Sequence, residues 1–218
     1  DAAEQKKVVD AEVEVVTAAT KEAERIGADA QADLDLAMPA FHSAIKALDS
    51  LNKNDITEIK GFAKPPPLVE LTLEAVCILC GVKPAWDDAK KMMNDSKFLE
   101  NLAQYDKDNI APAKIKKLAK YMKNEDFVPE KVEKVSKAAK SLCMWVRAMD
   151  VYDKVAKGVE PKKAALKKAN EEVAEMTKQL DGKQSELAAV MAKVAELNAQ
   201  LKAANDKKKE LEDQAKDT

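Results

Sequence analysis

Two cysteines spaced as Cys77-x-x-Cys80 form the pattern in this sequence that is closest to a reactive or metal-binding site. Such a pair can supply half of a zinc site, or it can cycle between dithiol and disulfide. No second CxxC completes the pattern, and the single histidine, His42, is distant in sequence. Both cysteines lie in the apolar run EAVCILCG, so we expect them to pack as small hydrophobic side chains. Together with Cys143 they make an odd number, and we expect three reduced thiols.

Other catalytic chemistry finds little support. A histidine-dependent nucleophile would rely on His42, which follows Phe41 in a helical stretch, and a packed or solvated helix residue is the interpretation we favour. Adjacent carboxylates such as Asp87–Asp88 resemble solvated helix charges. The sequence contains no phosphate-binding loop, no GxGxxG and no HExxH. We therefore predict that this chain is not an enzyme and holds neither a metal nor a cofactor.

Lysines are the remaining candidates for a binding function. The chain has two arginines against 35 lysines, and aromatic residues do not alternate with the lysines, so we expect no nucleic-acid binding. Residues 41–160 carry 21 basic against 18 acidic side chains, whereas the two ends together carry 16 against 21. This locally basic middle segment favours an acidic protein partner, held by contacts that weaken with salt.

Two long helical arms flank that middle segment. In the C-terminal arm, apolar residues alternate three and four apart over about six heptads, which is typical of a coiled coil, although Lys183 and Lys208 interrupt the seam. Its seam consists of Val159, Leu166, Val173, Leu180, Leu187, Val194 and Leu201, with a second series of Ala169, Met176, Val190, Leu197, Ala204 and Leu211.

The N-terminal arm keeps the same spacing with smaller residues. Its seam consists of Val9, Val13, Val16, Thr20, Ala23, Gly27, Ala30, Leu34, Ala37, Phe41, Ala44 and Leu48. Small residues specify one register less firmly than leucines do. Two interpretations stay open: a poor coiled coil, or a coiled coil whose register slides.

The middle segment predicts a bundle of short helices. Asp55-x-x-Glu58 predicts a capping box for the first, and Pro65–Pro67 predict its end and a stiff turn into an apolar helix closed by Gly81. Pro129 predicts the start of one long helix. Its expected buried stripe is Val132, Val135, Ala139, Leu142, Val146 and Met149. A helix over residues 110–122 carries an outer face of Lys114, Lys116, Lys117 and Lys120.

These elements together predict an all-α fold, with a small bundle of about six helices at the tip of an antiparallel two-helix coiled-coil stalk. We assign residues 1–40 to the first stalk helix, 41–158 to the head and 159–218 to the second stalk helix. Pro39 and Pro161 predict bends at the stalk–head junction. No apolar run is long enough to span a bilayer and no signal peptide is visible, so we expect no membrane association. We expect a monomer that is a piece of a longer protein.

Several stretches, in order, resemble the stalk and microtubule-binding domain of dynein heavy chains. They are DITEIKGFAKPPPLVELTLEAVCILCG, AWDDAKKMM with FLENL, IKKLAKYM, and FVPEKVEKVSKAAKSLCMWVRAMDVYDKVAKGVEPKK. The pieces FVPEKV, CMWVRAM and VEPKK are more similar to axonemal than to cytoplasmic heavy chains. The resemblance implies a place in the cytoplasm and cytoskeleton, in the axoneme of a cilium or flagellum.

The resemblance also implies a function. It implies a non-catalytic tip that binds microtubules, at the groove between α- and β-tubulin, while ATP and magnesium belong to a motor ring elsewhere in the parent chain. Its first, third and sixth head helices would face tubulin, and sliding of one stalk helix by about half a heptad would switch affinity. The implied contact residues are Lys53 and Lys60, then Lys90 and Lys91, then Glu130 and Lys134, with Lys137 added from helical geometry. The alternative is a structural coiled-coil adaptor whose head binds another acidic protein.

Overall fold

The computed structural model describes residues 1–216, which are built from α-helices and one 3-10 turn, with no strand among them. The predicted all-α fold is confirmed. No helix in this part of the chain is both long and apolar enough to cross a membrane. The helices are α1 (Ala2–Asp49), α2 (Lys53–Lys60), α3 (Pro67–Leu79), α4 (Trp86–Met93), α5 (Phe98–Ala103), α6 (Pro112–Met122), α7 (Pro129–Glu133) and α8 (Lys137–Lys216), and the 3-10 turn, Lys107–Asn109, lies between α5 and α6.

The chain divides into two compact units. The coiled-coil unit consists of Asp1–Gly27 and Lys163–Thr218, and the head unit consists of Ala28–Lys162. The boundaries that we assigned from sequence, at residues 40 and 159, stay predictions.

In the coiled-coil unit, α1 and α8 run antiparallel. Val9 packs with Leu180 and Leu187, whereas Gly27 lies against Leu166, with 3.5 Å between a Cβ built on the glycine and the leucine side chain. The residue numbers of the α8 partners fall as the residue numbers in α1 rise, so the two helices are antiparallel.

Lys183, which we predicted to interrupt the apolar seam, has a partner in α1, because its ammonium group forms an ion pair with Glu12. α1 begins two turns before Val9. Seam residues of α8 far beyond Leu187 therefore have no facing residue among residues 1–216. Those that are exposed by more than a third are Val194, Leu197, Leu201 and Leu211.

The seam predicted in α1 is confirmed by its burial pattern except at Val13, which is 36% exposed. Ala23, Ala30, Ala37 and Ala44 recur every seven residues and are at most 5% exposed, in phase with buried Val9. A buried alanine removes far less apolar surface from water than a leucine does. Each layer of this helix therefore contributes little to holding one register.

In the head unit, α3 is the central helix. It packs against α4 on one side and α6 on another, and α2 packs on α4. Its residues Leu73 and Val76 are fully buried, as is Trp145 of α8. The Trp145 indole donates a hydrogen bond to the backbone oxygen of Leu102 at 3.1 Å. This buried polar contact fixes α5 to α8.

The capping box predicted at Asp55 and Glu58 is wrong by three residues. The Asn52 side chain accepts hydrogen bonds from the backbone N–H groups of Asn54 and Asp55, at 2.8 and 3.1 Å. Asp55 in turn accepts from the Asn52 backbone N–H at 2.9 Å. Asn52-x-x-Asp55 has the same reciprocal pattern one turn earlier. α2 consequently begins at Lys53, which adds a lysine to the helix.

The prolines do not end α2, because the helix stops at Lys60 with Gly61 as its cap. Pro67 instead occupies the first turn of α3, where a missing N–H costs nothing. The predicted closure at Gly81 is confirmed. Gly81 has a φ of +72°, in the left-handed region, and the N–H of Val82 donates to the oxygen of Cys77 at 2.8 Å. Together these form a Schellman motif, which ends α3.

The long helix predicted from Pro129 is interrupted. α7 ends at Glu133, and the Ser136 hydroxyl accepts a hydrogen bond from the Ala139 N–H at 3.1 Å, which begins a new helix, α8. Val135 lies in the turn and is 42% exposed, so its predicted place in the buried stripe is wrong.

Pro39 and Pro161 both lie inside continuous helices, α1 and α8, with exposed side chains. A proline in a helix interior removes one backbone hydrogen bond, so the backbone is weaker at each position. Their role as stalk–head junctions stays a prediction.

Candidate binding surface on the head

Two isoleucines anchor α2 to the head. Ile56 and Ile59 are 5% and 1% exposed, as predicted. Lys53 is exposed, whereas Lys60 is half-buried and its ammonium group donates a hydrogen bond to the Asn94 side chain at 3.0 Å. Lys60 is therefore held against the end of α4 instead of pointing freely outward, which places its charge before any partner arrives.

A cavity of about 510 Å³ lies beside α2 and joins it to the segment after α4. Lys53 and Lys60 lie on its wall together with Asp95. Phe98 and Leu99 line it as well, and they give it an apolar floor. The two lysines of α2 thus share one surface feature with a carboxylate as neighbour.

The structure separates the two candidate lysines of α4. Lys90 lies one turn before Asn94, so it shares the side of α4 that Lys60 contacts. Lys91 lines a different cavity, of about 510 Å³, together with Asp88 and Lys114. The geometry therefore groups Lys90 with the α2 lysines. Lys91 lies in the adjoining cavity, which shares Asp95 and Phe98 with the one beside α2.

The remaining candidates lie on α7 and directly after it. Val132 is fully buried and holds α7 to the core, whereas Glu130, Lys134 and Lys137 are exposed. Glu130 and Lys134 are one helical turn apart. Their membership of the same binding face as α2 stays a prediction.

Other lysines of this region are neutralised by carboxylates. Lys131 pairs with Asp126 at 2.8 Å and Lys140 with Glu133 at 3.2 Å. The Asp126 carboxylate accepts a hydrogen bond from Lys131 and thereby raises the pKa of that lysine. Within residues 1–216, neither Lys134 nor any other predicted contact lysine has a carboxylate within 4.0 Å. Their charges are not neutralised by a direct ion pair.

The cysteines have no reactive environment. Cys77 and Cys143 are buried, Cys80 is half-buried, and all three are free thiols. Burial raises the pKa of Cys77 and Cys143 to about 12, and that of Cys80 to about 11. A nucleophilic thiolate needs the opposite shift. His42 is exposed on α1 with its ring edge against Phe41, 5.9 Å between ring centroids.

Sequence reasoning missed a cluster that ties the 3-10 turn to both long helices within the head unit. The Lys107 ammonium lies 5.1 Å from the Phe41 ring centre and 5.2 Å from that of Tyr152, in cation–π geometry. The Tyr152 hydroxyl donates a hydrogen bond to Asp108 at 2.6 Å. These residues are dozens of positions apart, and no local pattern in the sequence signals their contact.

All 218 residues match the family model of the microtubule-binding stalk of the dynein motor. The chain belongs to this family. The dynein stalk is 49% identical over 162 residues to human dynein axonemal heavy chain 6, which covers 74% of this chain and 4% of that protein. It is 38% identical over 224 aligned positions to human dynein axonemal heavy chain 3, which covers 95% of this chain and 5% of that protein. It therefore spans about a twentieth of the curated relatives that it matches.

A solved structure, the microtubule-binding domain of dynein-c, also resembles this dynein stalk. The two are 44% identical with a TM-score of 0.55, over 61% of this chain and 95% of that chain. The family predicted from the sequence is thereby confirmed, and the two human relatives named above are axonemal heavy chains.

Proposed function

We propose that this dynein stalk is the microtubule-binding tip and distal stalk of an axonemal dynein heavy chain. The match of the entire chain to the dynein stalk family carries the proposal. The tip itself performs no catalysis. ATP and magnesium act in a motor ring in the remainder of the parent chain, which works in the cytoplasm, at the axoneme of a cilium or flagellum.

The tubulin-facing surface is formed by lysines that the fold leaves uncompensated. Lys53, Lys60 and Lys90 are grouped by the packing of α2 on α4, and Lys60 is positioned by its hydrogen bond to Asn94. An acidic protein surface is attracted by such a group, and the attraction accelerates association and falls with ionic strength. Glu130 and Lys134 of the α7 segment complete the contact in this proposal, with Lys91 and Lys137 at its edge.

Affinity is switched in this proposal by sliding of α1 along α8. The alanine layers of α1 give neighbouring registers similar packing energies, which a two-state element requires. α2 follows α1 after three residues, 50–52, so a displacement of α1 reaches α2 through a short connection.

Microtubule co-sedimentation at low and moderate salt tests the binding. The proposal expects a monomer by light scattering that pellets with microtubules at low salt and is released by salt. A dimer that does not pellet would support the alternative, an adaptor whose head binds another acidic protein.

Disulfide trapping tests the switch. Gly27→Cys with Leu166→Cys traps the observed register, and Gly27→Cys with Asn170→Cys traps one shifted by about half a heptad. The native thiols do not compete near pH 8, because burial raises their pKa values. Equal microtubule affinity in both trapped forms would refute the switch while leaving the binding proposal intact.

A further inference from the structure

α6 presents a second basic surface, on the side of the helix that does not pack. Leu118 and Tyr121 are 0% and 2% exposed and fix α6 to the core. Lys116 and Lys120, one turn apart, lie on the side away from Leu118, and Lys117 lies one turn before Tyr121; all three are exposed. α6 contains no acidic residue, so nothing on the helix itself offsets these charges.

These lysines border a groove with an apolar floor. Two adjoining cavities, of about 290 and 350 Å³, share Ile78, Pro84 and Lys117 as walls. Lys83, from the loop between α3 and α4, lies on the rim of the larger one. No carboxylate lines either cavity. We call this feature, bordered by Lys83, Lys116, Lys117 and Lys120 over Ile78 and Pro84, the α6 groove.

The charges of the α6 groove are not used inside the protein. Within residues 1–216, Lys83, Lys116 and Lys117 have no carboxylate within 4.0 Å. Lys120 lies 5.0 Å from the Tyr121 ring centre, and this contact leaves its charge unneutralised. With Lys114, whose ammonium group donates a hydrogen bond to the Leu79 oxygen at 3.1 Å, five lysines line the two cavities, and none has a counter-ion from the described part of the chain.

The α6 groove is separate from the cavity that Lys53 and Lys60 line, whereas the cavity that Lys91 lines shares Val82 and Lys114 with the larger cavity of the groove. α6 packs on α3, whereas α2 packs on α4, and the cavity beside α2 shares no lining residue with the α6 groove. One partner surface can occupy the α2 lysines and leave the α6 groove open.

We propose that the α6 groove binds an extended acidic segment of a partner protein, with an apolar side chain on Ile78 and Pro84 and carboxylates on the lysine rim. Lysines suit a protein segment with scattered carboxylates. Nucleic acid would instead favour arginines and exposed aromatic rings on which bases stack, and Tyr121, the aromatic residue of α6, is buried. The apolar floor distinguishes this site from a uniformly solvated lysine face. The site does not depend on microtubule binding.

Fluorescence anisotropy with two labelled peptides tests the inference at low salt. One peptide is glutamate-rich with a central leucine, and the other has glycine in place of that leucine. The proposal expects saturable binding of the leucine peptide and at least about tenfold weaker binding of the glycine peptide. Equal binding of both peptides, or no saturable binding of either, would overturn it. A short single-stranded DNA that binds as tightly as the leucine peptide would overturn the assignment of the occupant.

Two matched triple variants locate the site. Lys116→Glu/Lys117→Glu/Lys120→Glu should weaken the leucine peptide at least about tenfold and leave microtubule pelleting unchanged. If this variant loses the helical signal in far-UV circular dichroism, a variant with glutamine at the same three positions replaces it, and weaker binding of the leucine peptide is expected again.

The control variant, Lys53→Glu/Lys60→Glu/Lys90→Glu, changes net charge by the same amount. It should retain peptide binding and lose microtubule pelleting. Equal loss of peptide binding in both variants would show attraction to net charge and refute the site. Loss of microtubule pelleting in the α6 variant would assign the groove to the tubulin surface and refute its separateness. Failure of wild-type pelleting with intact peptide binding would refute the proposed function alone.

Discussion

Reversal of the charge at Lys60 is the sharpest test of the tubulin-facing surface. The lysine sits half-buried at the junction of α2 and α4, where Asn94 holds its ammonium group at 3.0 Å. Lys60→Glu keeps the helix, because the isoleucines that anchor α2 are untouched. The new carboxylate lies in the cavity that Asp95 also lines, so it adds a second negative charge there.

The expected loss follows from the local geometry. An exposed charge pair contributes about 0.5–1 kcal/mol, and reversal replaces that attraction by a repulsion of similar size, about 1–2 kcal/mol in all. This free energy corresponds to a microtubule dissociation constant raised roughly 5- to 30-fold. The effect should shrink as salt rises, since screening weakens both the attraction and the repulsion.

Lys193→Glu provides the matched control, because it changes net charge equally on an exposed part of α8. Co-sedimentation over a microtubule titration, at two salt concentrations, measures both variants beside the wild type. We expect the control to bind within about twofold of wild type. If both variants weaken binding equally, total charge and not the α2 surface governs affinity, and the reasoning about Lys60 fails.

Three further predictions concern stability, measured by urea unfolding. Gly81→Ala forces a side chain into φ +72° and should cost about 1–2 kcal/mol, whereas Gly158→Ala inside α8, with open space around it, should stabilise by about 0.5–1 kcal/mol; the same sign for both would contradict the backbone argument. Trp145→Phe should cost about 2–4 kcal/mol, because it leaves a cavity in the core and removes the indole donor, so that the Leu102 oxygen keeps only the Tyr105 N–H at 3.3 Å; a cost below about 1 kcal/mol would show that this contact is not needed. Burial raises the pKa of the Cys77 and Cys143 thiols from 9.0 to about 12. The stability that these neutral thiols contribute is therefore complete below pH 9 and is lost as the pH rises towards 12. A variant with alanine at both positions should lose less stability than wild type between about pH 8 and 10, and parallel curves would refute this.

Periodicity predicted the helices better than it predicted their ends. The seven-residue spacing of alanines in α1 located the buried stripe, because a helix places such residues on one face whatever surrounds it. The start of α2 was misplaced, since two overlapping capping patterns compete and only Asn52 forms the bonds. The break at Ser136 went unnoticed within an apolar stripe that continues in phase on both sides.

Contacts between distant segments were beyond sequence reasoning. Spacing alone placed Lys90 and Lys91 together, and the position of Asn94 against α2 separates them. No pattern in the sequence singled out Lys107, because its contacts with Phe41 and Tyr152 depend on where the 3-10 turn meets the two long helices. Lysine counts identified a basic head but did not divide its charge between α2 and the α6 groove.

The break between α7 and α8 leaves the two helices joined by a short turn, residues 134–136. The Ser136 N–H donates to the Val132 oxygen at 2.9 Å, and the Ser136 hydroxyl caps α8, so this one residue bonds to both helices. Val132 is fully buried, so α7 is also held by the core. We therefore expect a change in the direction of α8 to tilt α7, with Glu130 and Lys134, about this turn and not to carry α7 along as part of one rigid helix.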